Sequence, residues 1–142
     1  MSDENLDGQI VLGTMNYGTT VDEKRGHALL DRFVEQGGTW VDTADCYSFW
    51  NDPSGVGGQS EAVIGSWLRS RPGARDRVRL STKVGYDPLV PHRWPESAKG
   101  LGAEAIRRSV QGCLKRLGTE VIDLLWAHGE DRSVPLEETV RA

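Results

Sequence analysis

The chain has 142 residues, a formal net charge of −4 at pH 7 and 37% hydrophobic residues, which is room for one domain with one hydrophobic core. The composition excludes a disordered chain, and the absence of an apolar run near the ~20 residues of a spanning helix argues against a membrane protein. The negative charge argues against nucleic acid as a partner, and the polar, acidic first residues lack the features of a secretory signal, so we expect a cytoplasmic protein.

Short apolar runs alternate with amphipathic segments, the pattern typical of βα units around a parallel sheet. The first predicted strand covers residues 10–12 and continues to Met15. Thr20 and Glu23 have the spacing of a capping box that opens the first helix, and the pair Gly37-Gly38 ends it.

Three further units follow in chain order. The second strand is predicted at residues 39–42, and Ser60 is the predicted N-cap of a helix that Pro72-Gly73 breaks. The third strand is predicted at residues 78–84 and the fourth at residues 121–126, and Pro135 begins a fourth helix. Between these strands a third helix is closed by Gly118 and carries the apolar positions Ile106, Val110, Cys113, Leu114 and Leu117.

Four βα units in this order form either half of an eight-stranded barrel or a small open sheet, and composition does not decide between them. A dinucleotide-binding fold would carry G-x-G-x-x-G after its first strand, and residues 13–18 do not fit it. The glycine-rich residues 55–58 also have the wrong spacing, so a flexible loop is favoured over a phosphate cradle. Five arginines favour a solvated helix end over a nucleic-acid site, namely Arg69, Arg71, Arg75, Arg77 and Arg79.

The two cysteines, Cys46 and Cys113, are far apart in sequence and indicate neither a disulfide scaffold nor a zinc spacing. Cys113 falls on the apolar stripe of the third helix, which predicts a core position. Cys46 adjoins Tyr47, so we expect it to line a site there, although nothing in the sequence indicates a nucleophile.

Four polar side chains follow successive predicted strands at their carboxyl ends, where barrel enzymes keep their active sites. They are Asp42, Tyr47, Lys83 and His128. An ammonium beside a tyrosine favours the charged form of the phenol, and an aspartate keeps that ammonium charged and oriented. A histidine can then orient a substrate carbonyl toward the tyrosine. Each residue alone has a structural explanation, so the prediction depends on all four meeting at one rim.

These residues lie in motifs that resemble the aldo-keto reductases. The resemblance covers nearly the whole chain and consists of an ordered set of segments. They are residues 12–15 with 17–18, 41–47 (VDTADCY), Ser60-Glu61, Ile64-Gly65 and Trp67-Leu68, 81–85 (STKVG), Ser109, 114–117, 121–125 (VIDLL), His128 and 135–139 (PLEET). The family implies an α/β fold, a TIM (β/α)₈ barrel, that reduces an aldehyde or ketone with NADPH, or runs in reverse.

The resemblance also implies roles for individual residues. Tyr47 would be the general acid, with Lys83 and Asp42 tuning it, and His128 would position the carbonyl of a small-molecule substrate. The NADP(H) cofactor would contact Gly13, Thr14 and Met15, with Asp42 near its ribose.

The family barrel is typically twice as long as this chain. We therefore expect residues 1–142 to be the N-terminal half of a barrel, with four βα units and the last helix cut short. Its first and fourth strands would be unpaired edges, which predicts self-association or a complementary chain. The alternative is a truncated, non-catalytic interaction or scaffold module. The loop from Tyr47 to Ser60, with Phe49, Trp50 and Pro53, either walls a substrate pocket or covers exposed core.

Overall fold

The computed structural model describes residues 10–142, so the polar segment at residues 1–9 lies outside the described residues. Four parallel strands form one sheet in the order β1-β2-β3-β4. The strands are β1 (Val11–Gly13), β2 (Trp40–Asp42), β3 (Arg79–Val84) and β4 (Leu124–Ala127). The helices are α1 (Glu23–Glu35), α2 (Gln59–Ser70), α3 (Ala74–Arg77), α4 (Ala103–Leu117) and α5 (Leu136–Arg141). The predicted parallel α/β fold is confirmed.

The hydrophobic core lies between one face of the sheet and the helices. Val41 of β2 and Leu80 of β3 contribute strand side chains that are fully buried against Leu30 of α1 and Ile64 and Trp67 of α2. A smaller cluster of Val84, Leu101, Ile106 and Cys113 lies beneath α4. Cys113 has no exposed surface, which confirms its predicted core position.

The opposite face of the sheet is open. It forms a groove of about 400 Å³ lined mainly by Val11, Trp40, Leu124 and Trp126, with Asp42, Ser81 and Lys83 completing it. Among the described residues, β1 pairs only with β2 and β4 pairs only with β3. The expectation of two unpaired edge strands with inward side chains facing water is therefore confirmed within residues 10–142.

Two predicted helix starts are wrong. Asp22, rather than Thr20, is the N-cap of α1, and its carboxylate accepts from the backbone N–H of Arg25 at 2.8 Å. Thr20 is held in the preceding turn, because the N–H of Gly18 donates to Val21 O. Helix α2 begins at Gln59 after Gly58, whose φ of 109° is unfavourable for other residues, so Ser60 is a buried helical residue and not a cap.

Each strand is shorter than predicted, and β4 is also displaced toward the C-terminus. The predicted β4 at residues 121–126 begins only at Leu124, since Asp123 turns its carboxylate to the N–H of Leu80 and to Arg75 just before the strand begins. The helix ends agree with the sequence: α4 stops at Leu117 before Gly118, which adopts a φ of 66°.

Two of the five arginines near α3 are partly buried and structural, whereas Arg69, Arg77 and Arg79 are exposed, as expected for a solvated helix end. Arg71 forms a bidentate pair with Asp31 of α1, at 2.8 and 3.0 Å. Arg75 donates to Asp123 and to the carbonyl of Val78, so it ties α3 to the start of β4.

Within residues 10–142, the longest helices are too short and too polar to span a bilayer.

Candidate active site

The carboxyl ends of β2 and β3 bring Asp42, Lys83 and Tyr47 together. Lys83 Nζ donates to Asp42 Oδ2 in a short contact, to Tyr47 Oη at 3.0 Å and to the carbonyl of Thr43 at 2.8 Å. The predicted geometry, with the ammonium in hydrogen-bond reach of both partners, is confirmed. The side chains of Lys83 and Asp42 are 17% and 23% exposed, and both line the open groove, so the ion pair is only partly accessible to water.

Lys83 uses all three of its N–H donors in these contacts. An ammonium has three donors and no acceptor, so the Tyr47 oxygen must accept the hydrogen bond from Lys83. The phenolic proton of Tyr47 is then free to be donated to another oxygen. This arrangement is the one that a tyrosine acting as a general acid requires.

Asp42 is held in place by a hydrogen-bond chain that the sequence reading missed. Ser81 Oγ donates to Asp42 Oδ1 at 2.7 Å, and Trp126 Nε1 donates to Ser81 Oγ at 3.0 Å. Ser81 stands opposite Asp42 in the parallel register. The signal in the sequence was the spacing of Ser81 and Lys83, which lie two apart and therefore on one face of β3.

The loop after β2 contains a turn around Tyr47, called here the Tyr47 turn, and hydrogen bonds hold the chain on both sides of it. The N–H groups of Thr43 and Asp45 donate to the carbonyls of Ser81 and Lys83, so the chain continues along β3 before it turns. Ser48 follows Tyr47 with a φ of 78°, and its buried hydroxyl lies within hydrogen-bond distance of the carbonyls of Met15 and Tyr17. Ser48 thus ties the Tyr47 turn to the loop after β1, a role that no sequence motif indicated.

His128 follows β4 and lies at the same rim. Its N–H continues the sheet by donating to Val84 O at 3.0 Å, and its ring is stacked on Tyr86 with centroids 4.9 Å apart. Its ring meets Tyr47 edge-on, with centroids 5.8 Å apart. Burial, followed by the neighbouring Lys83 ammonium, lowers the pKa of His128, so the imidazole is neutral at neutral pH. The four predicted residues therefore converge.

One ring nitrogen of His128 contacts the thiol of Cys46. Nδ1 lies 3.4 Å from Cys46 Sγ, which places Cys46 at the site as predicted. Burial raises the pKa of the Cys46 thiol to about 12, so the sulfur keeps its proton and can donate it to Nδ1. In that tautomer Nε2 carries the ring proton and is a donor.

Aromatic side chains surround the Tyr47 turn. Trp50 contacts the Tyr47 ring edge-on, Phe49 contacts both Trp50 and Trp94, and Trp94 contacts Tyr86. Trp50 and Trp94 are 43% and 42% exposed, so they border open space and do not fill the core. Of the two interpretations of the loop from Tyr47 to Ser60, the pocket wall is the one that these contacts favour.

The three residues predicted to contact the cofactor after β1 differ in their accessibility to a ligand. A side chain at Gly13 would meet nothing within 4 Å, and Met15 is 49% exposed, so both border open space at the end of β1. Thr14 is fully buried, and its hydroxyl contacts Asp42 O and Ser60 Oγ. The Thr14 side chain is therefore unavailable to a ligand and instead links β1 to β2 and α2.

Asp45 is a buried carboxyl group that the sequence reading did not single out. It has no exposed surface, and neither of its oxygens has a hydrogen-bond partner among the described residues. Burial, followed by the nearby Asp87 carboxylate, raises the pKa of Asp45 to about 7.

Comparisons with known proteins point to one family. The model of the Aldo/keto reductase family matches residues 9–142. The chain is 37% identical over 131 residues to an uncharacterized oxidoreductase, YrpG, of Bacillus subtilis, covering 92% of this chain and 39% of that protein. It is 33% identical over 142 residues to norsolorinic acid reductase A of Aspergillus parasiticus, covering 94% of this chain and 34% of that protein. It is 35% identical over 133 residues to human aflatoxin B1 aldehyde reductase member 4, covering 93% of this chain and 35% of that protein. The chain thus spans between a third and two fifths of the length of these relatives.

Proposed function

We propose that this chain, which belongs to the aldo/keto reductase family, supplies the acid–base groups of a site that reduces an aldehyde or ketone to an alcohol with NADPH. The observation that carries the proposal is the Lys83 ammonium, which donates at once to Asp42 and to Tyr47 Oη. This arrangement leaves the phenolic proton available at the rim where a carbonyl oxygen can be received.

Tyr47 gives its proton to the carbonyl oxygen as negative charge develops there. The charge left on the phenol oxygen is stabilised by the Lys83 ammonium 3.0 Å away. Asp42 keeps the ammonium oriented, and Ser81 keeps Asp42 oriented, so the groups need little rearrangement during the reaction.

His128 orients the carbonyl. With Nδ1 accepting from the Cys46 thiol, Nε2 carries the proton and donates to the substrate oxygen. The neutral imidazole adds a hydrogen bond without competing with Tyr47 as the source of the proton. The exposed rings of Trp50 and Trp94 favour a carbonyl carried on a flat, apolar body. Two relatives are named for the reduction of norsolorinic acid and aflatoxin B1 aldehyde.

The nicotinamide of NADPH would supply the hydride. Gly13 and Met15 border the open space in which it would be held, beside Asp42. The absence of atoms within 4 Å of the side-chain position at Gly13 leaves room for a cofactor group near the strand end, whereas Thr14 would contribute by holding its neighbours in place.

The unpaired edges of β1 and β4 bear on which assembly of the protein is active. Because β1 and β4 each have one unpaired side among the described residues, we propose that the active particle pairs these edges with strands from a second copy or another polypeptide. The same exposed surfaces favour the second candidate function, an interaction module without catalysis.

The test compares the chain with two tyrosine variants, using NADPH fluorescence for binding and NADPH absorbance for turnover of an aromatic and an aliphatic aldehyde. Tyr47→Phe should lower turnover by roughly 10²–10⁴-fold and leave NADPH binding nearly unchanged, because the phenol serves the substrate side. Tyr17→Phe is the matched control, since the Tyr17 hydroxyl is buried and forms no hydrogen bond with the described residues.

Two outcomes would contradict the proposal. Unchanged turnover in Tyr47→Phe would remove the role of Tyr47. A particle of defined mass that neither binds NADPH nor reduces either aldehyde would favour the interaction module.

A further inference from the structure

Three potential metal ligands meet behind the Tyr47 turn. A carboxylate oxygen of Asp45, Cys46 Sγ and His128 Nδ1 all lie within 4.8 Å of one another. Asp45 and Cys46 are buried, and His128 is partly buried. Cys46 and His128 are 82 positions apart, so no zinc spacing in the sequence could reveal the cluster.

The Asp45 carboxyl group is a second, independent observation. A buried carboxylate normally accepts hydrogen bonds or pairs with a cation, because its desolvation is costly. Asp45 has neither partner in the described part of the chain, while the neighbouring Asp87 receives both Lys99, at 2.6 Å, and the N–H of Gly57, at 2.7 Å. The two cations whose charges act on Asp45 are both engaged elsewhere, Lys99 by Asp87 and Arg116 by Glu61.

The backbone is built closely around this group. A side chain at Gly57 would collide with the carbonyl oxygen of Asp45 and with Cys46 Cα. The chain at Gly57 thus packs directly on the backbone of the two ligand residues and limits their movement.

We propose that Asp45, Cys46 and His128 bind a thiophilic divalent cation, Zn²⁺, with water as the fourth ligand. Zinc bonds of about 2.3 Å to sulfur and 2.0–2.1 Å to nitrogen place tetrahedral S and N ligands about 3.6 Å apart. Cys46 Sγ and His128 Nδ1 already lie 3.4 Å apart. The carboxylate needs to approach by about 1 Å to complete the site.

The charge balance fits this cation. On binding, the protons of the Cys46 thiol and of any protonated Asp45 pass to solvent, so a thiolate and a carboxylate neutralise Zn²⁺. The site therefore adds no net positive charge beside the Lys83 ammonium. Coordination through Nδ1 also fixes the proton of His128 on Nε2, the tautomer that donates toward a substrate.

The experiment titrates the 142-residue chain with Co²⁺ as a spectroscopic probe and with Zn²⁺ under equilibrium dialysis, and neither readout requires reductase activity. We expect one metal ion per chain and a thiolate-to-cobalt absorption band. Cys46→Ser should abolish the band. Cys46→Ser and Asp45→Asn should each weaken Zn²⁺ binding by at least about 10-fold, because even the loss of a residue that only hydrogen-bonds a metal ligand costs that much affinity. Cys113→Ser is the matched control, because Cys113 is the other buried cysteine, and it should retain both band and affinity.

The wild-type chain alone can overturn the proposal. Absence of the thiolate band at saturating Co²⁺ would do so, as would a band that disappears in Cys113→Ser and persists in Cys46→Ser. Far-UV circular dichroism establishes that each variant is folded. If Cys46→Ser fails to fold, Asp45→Asn decides, since unchanged Zn²⁺ affinity in that variant rejects the site.

Discussion

Replacement of Lys83 by methionine removes the ammonium and keeps a side chain of similar length. Three acceptors then lose their donor: Asp42 Oδ2, the carbonyl of Thr43 and Tyr47 Oη. The Asp42 carboxylate keeps only Ser81 as a hydrogen-bond partner among the described residues, so its negative charge is left largely uncompensated. We expect the folded state of Lys83→Met to be less stable than that of the parent chain.

The exposure of the two side chains sets the magnitude. Exposed ion pairs contribute about 0–1 kcal/mol, whereas removing one partner of a fully buried pair costs about 3–5 kcal/mol. Lys83 is 17% and Asp42 is 23% exposed, which lies between these cases. We therefore expect Lys83→Met to lower the free energy of unfolding by about 2 kcal/mol. Asp42→Asn should cost less, because the ammonium keeps Thr43 and Tyr47 as acceptors.

The assay is a double-mutant cycle measured by urea denaturation at fixed protein concentration. The double variant Asp42→Asn with Lys83→Met should be more stable than the sum of the single losses predicts by about 1–2 kcal/mol, because no uncompensated charge remains. The exposed pair Arg132 and Glu130, whose side chains are 86% and 69% exposed, provides a control cycle with coupling near zero. Additive losses at Lys83 and Asp42 would refute the view that this pair shares one partly desolvated charge network.

Further predictions concern stability, pH and association. Tyr17→Phe should raise the free energy of unfolding by about 1 kcal/mol, measured by thermal denaturation, because the buried Tyr17 hydroxyl forms no hydrogen bond with the described residues. A loss of stability would contradict this. Hydrogen bonds from Arg71 hold the pKa of Asp31 below its usual range, so the stabilisation they give is present above about pH 4 and is lost as the pH falls further. The difference in free energy of unfolding between the parent chain and Asp31→Asn should therefore shrink below that pH. A difference that grows in acid would contradict this. The parent chain should self-associate at micromolar concentration, as measured by light scattering. Leu124→Lys on the open face should lower the mass of the associated particle, whereas Leu136→Lys, at a position already 72% exposed on α5, should not. A monomeric parent chain would contradict this.

The sequence predicted the order and type of the elements because the apolar period changes clearly between strands and helices. It failed at the starts of α1 and α2, where several residues were chemically able to cap. Thr20 and Asp22 are both good N-caps, and the turn closed by Gly18 and Val21 selects Asp22. Ser60 has the right chemistry for a cap, but its hydroxyl is taken into a buried network with Thr14, so tertiary contacts override the local preference.

The convergence of Asp42, Tyr47, Lys83 and His128 could be predicted because parallel strands place their carboxyl ends at one edge of the sheet. The supporting residues could not, since their roles depend on contacts across strands and loops. Ser48 acts through carbonyls more than 30 positions away, and Cys46 meets His128 from another strand end. Serine and cysteine in such positions carry no local pattern that separates these roles from ordinary burial.

The register of β3 links the core to the site. Side chains alternate along a strand, so Ser81 and Lys83 face Asp42 on the open side while Thr82 faces the helices. Thr82 Oγ1 donates to Glu61, which is fully buried and also receives Arg116 at 2.6 Å. A slip of one residue would turn Lys83 toward the helices and place Thr82 beside Asp42. The buried Thr82–Glu61–Arg116 contact therefore favours the one register in which the Lys83 ammonium reaches both Asp42 and Tyr47.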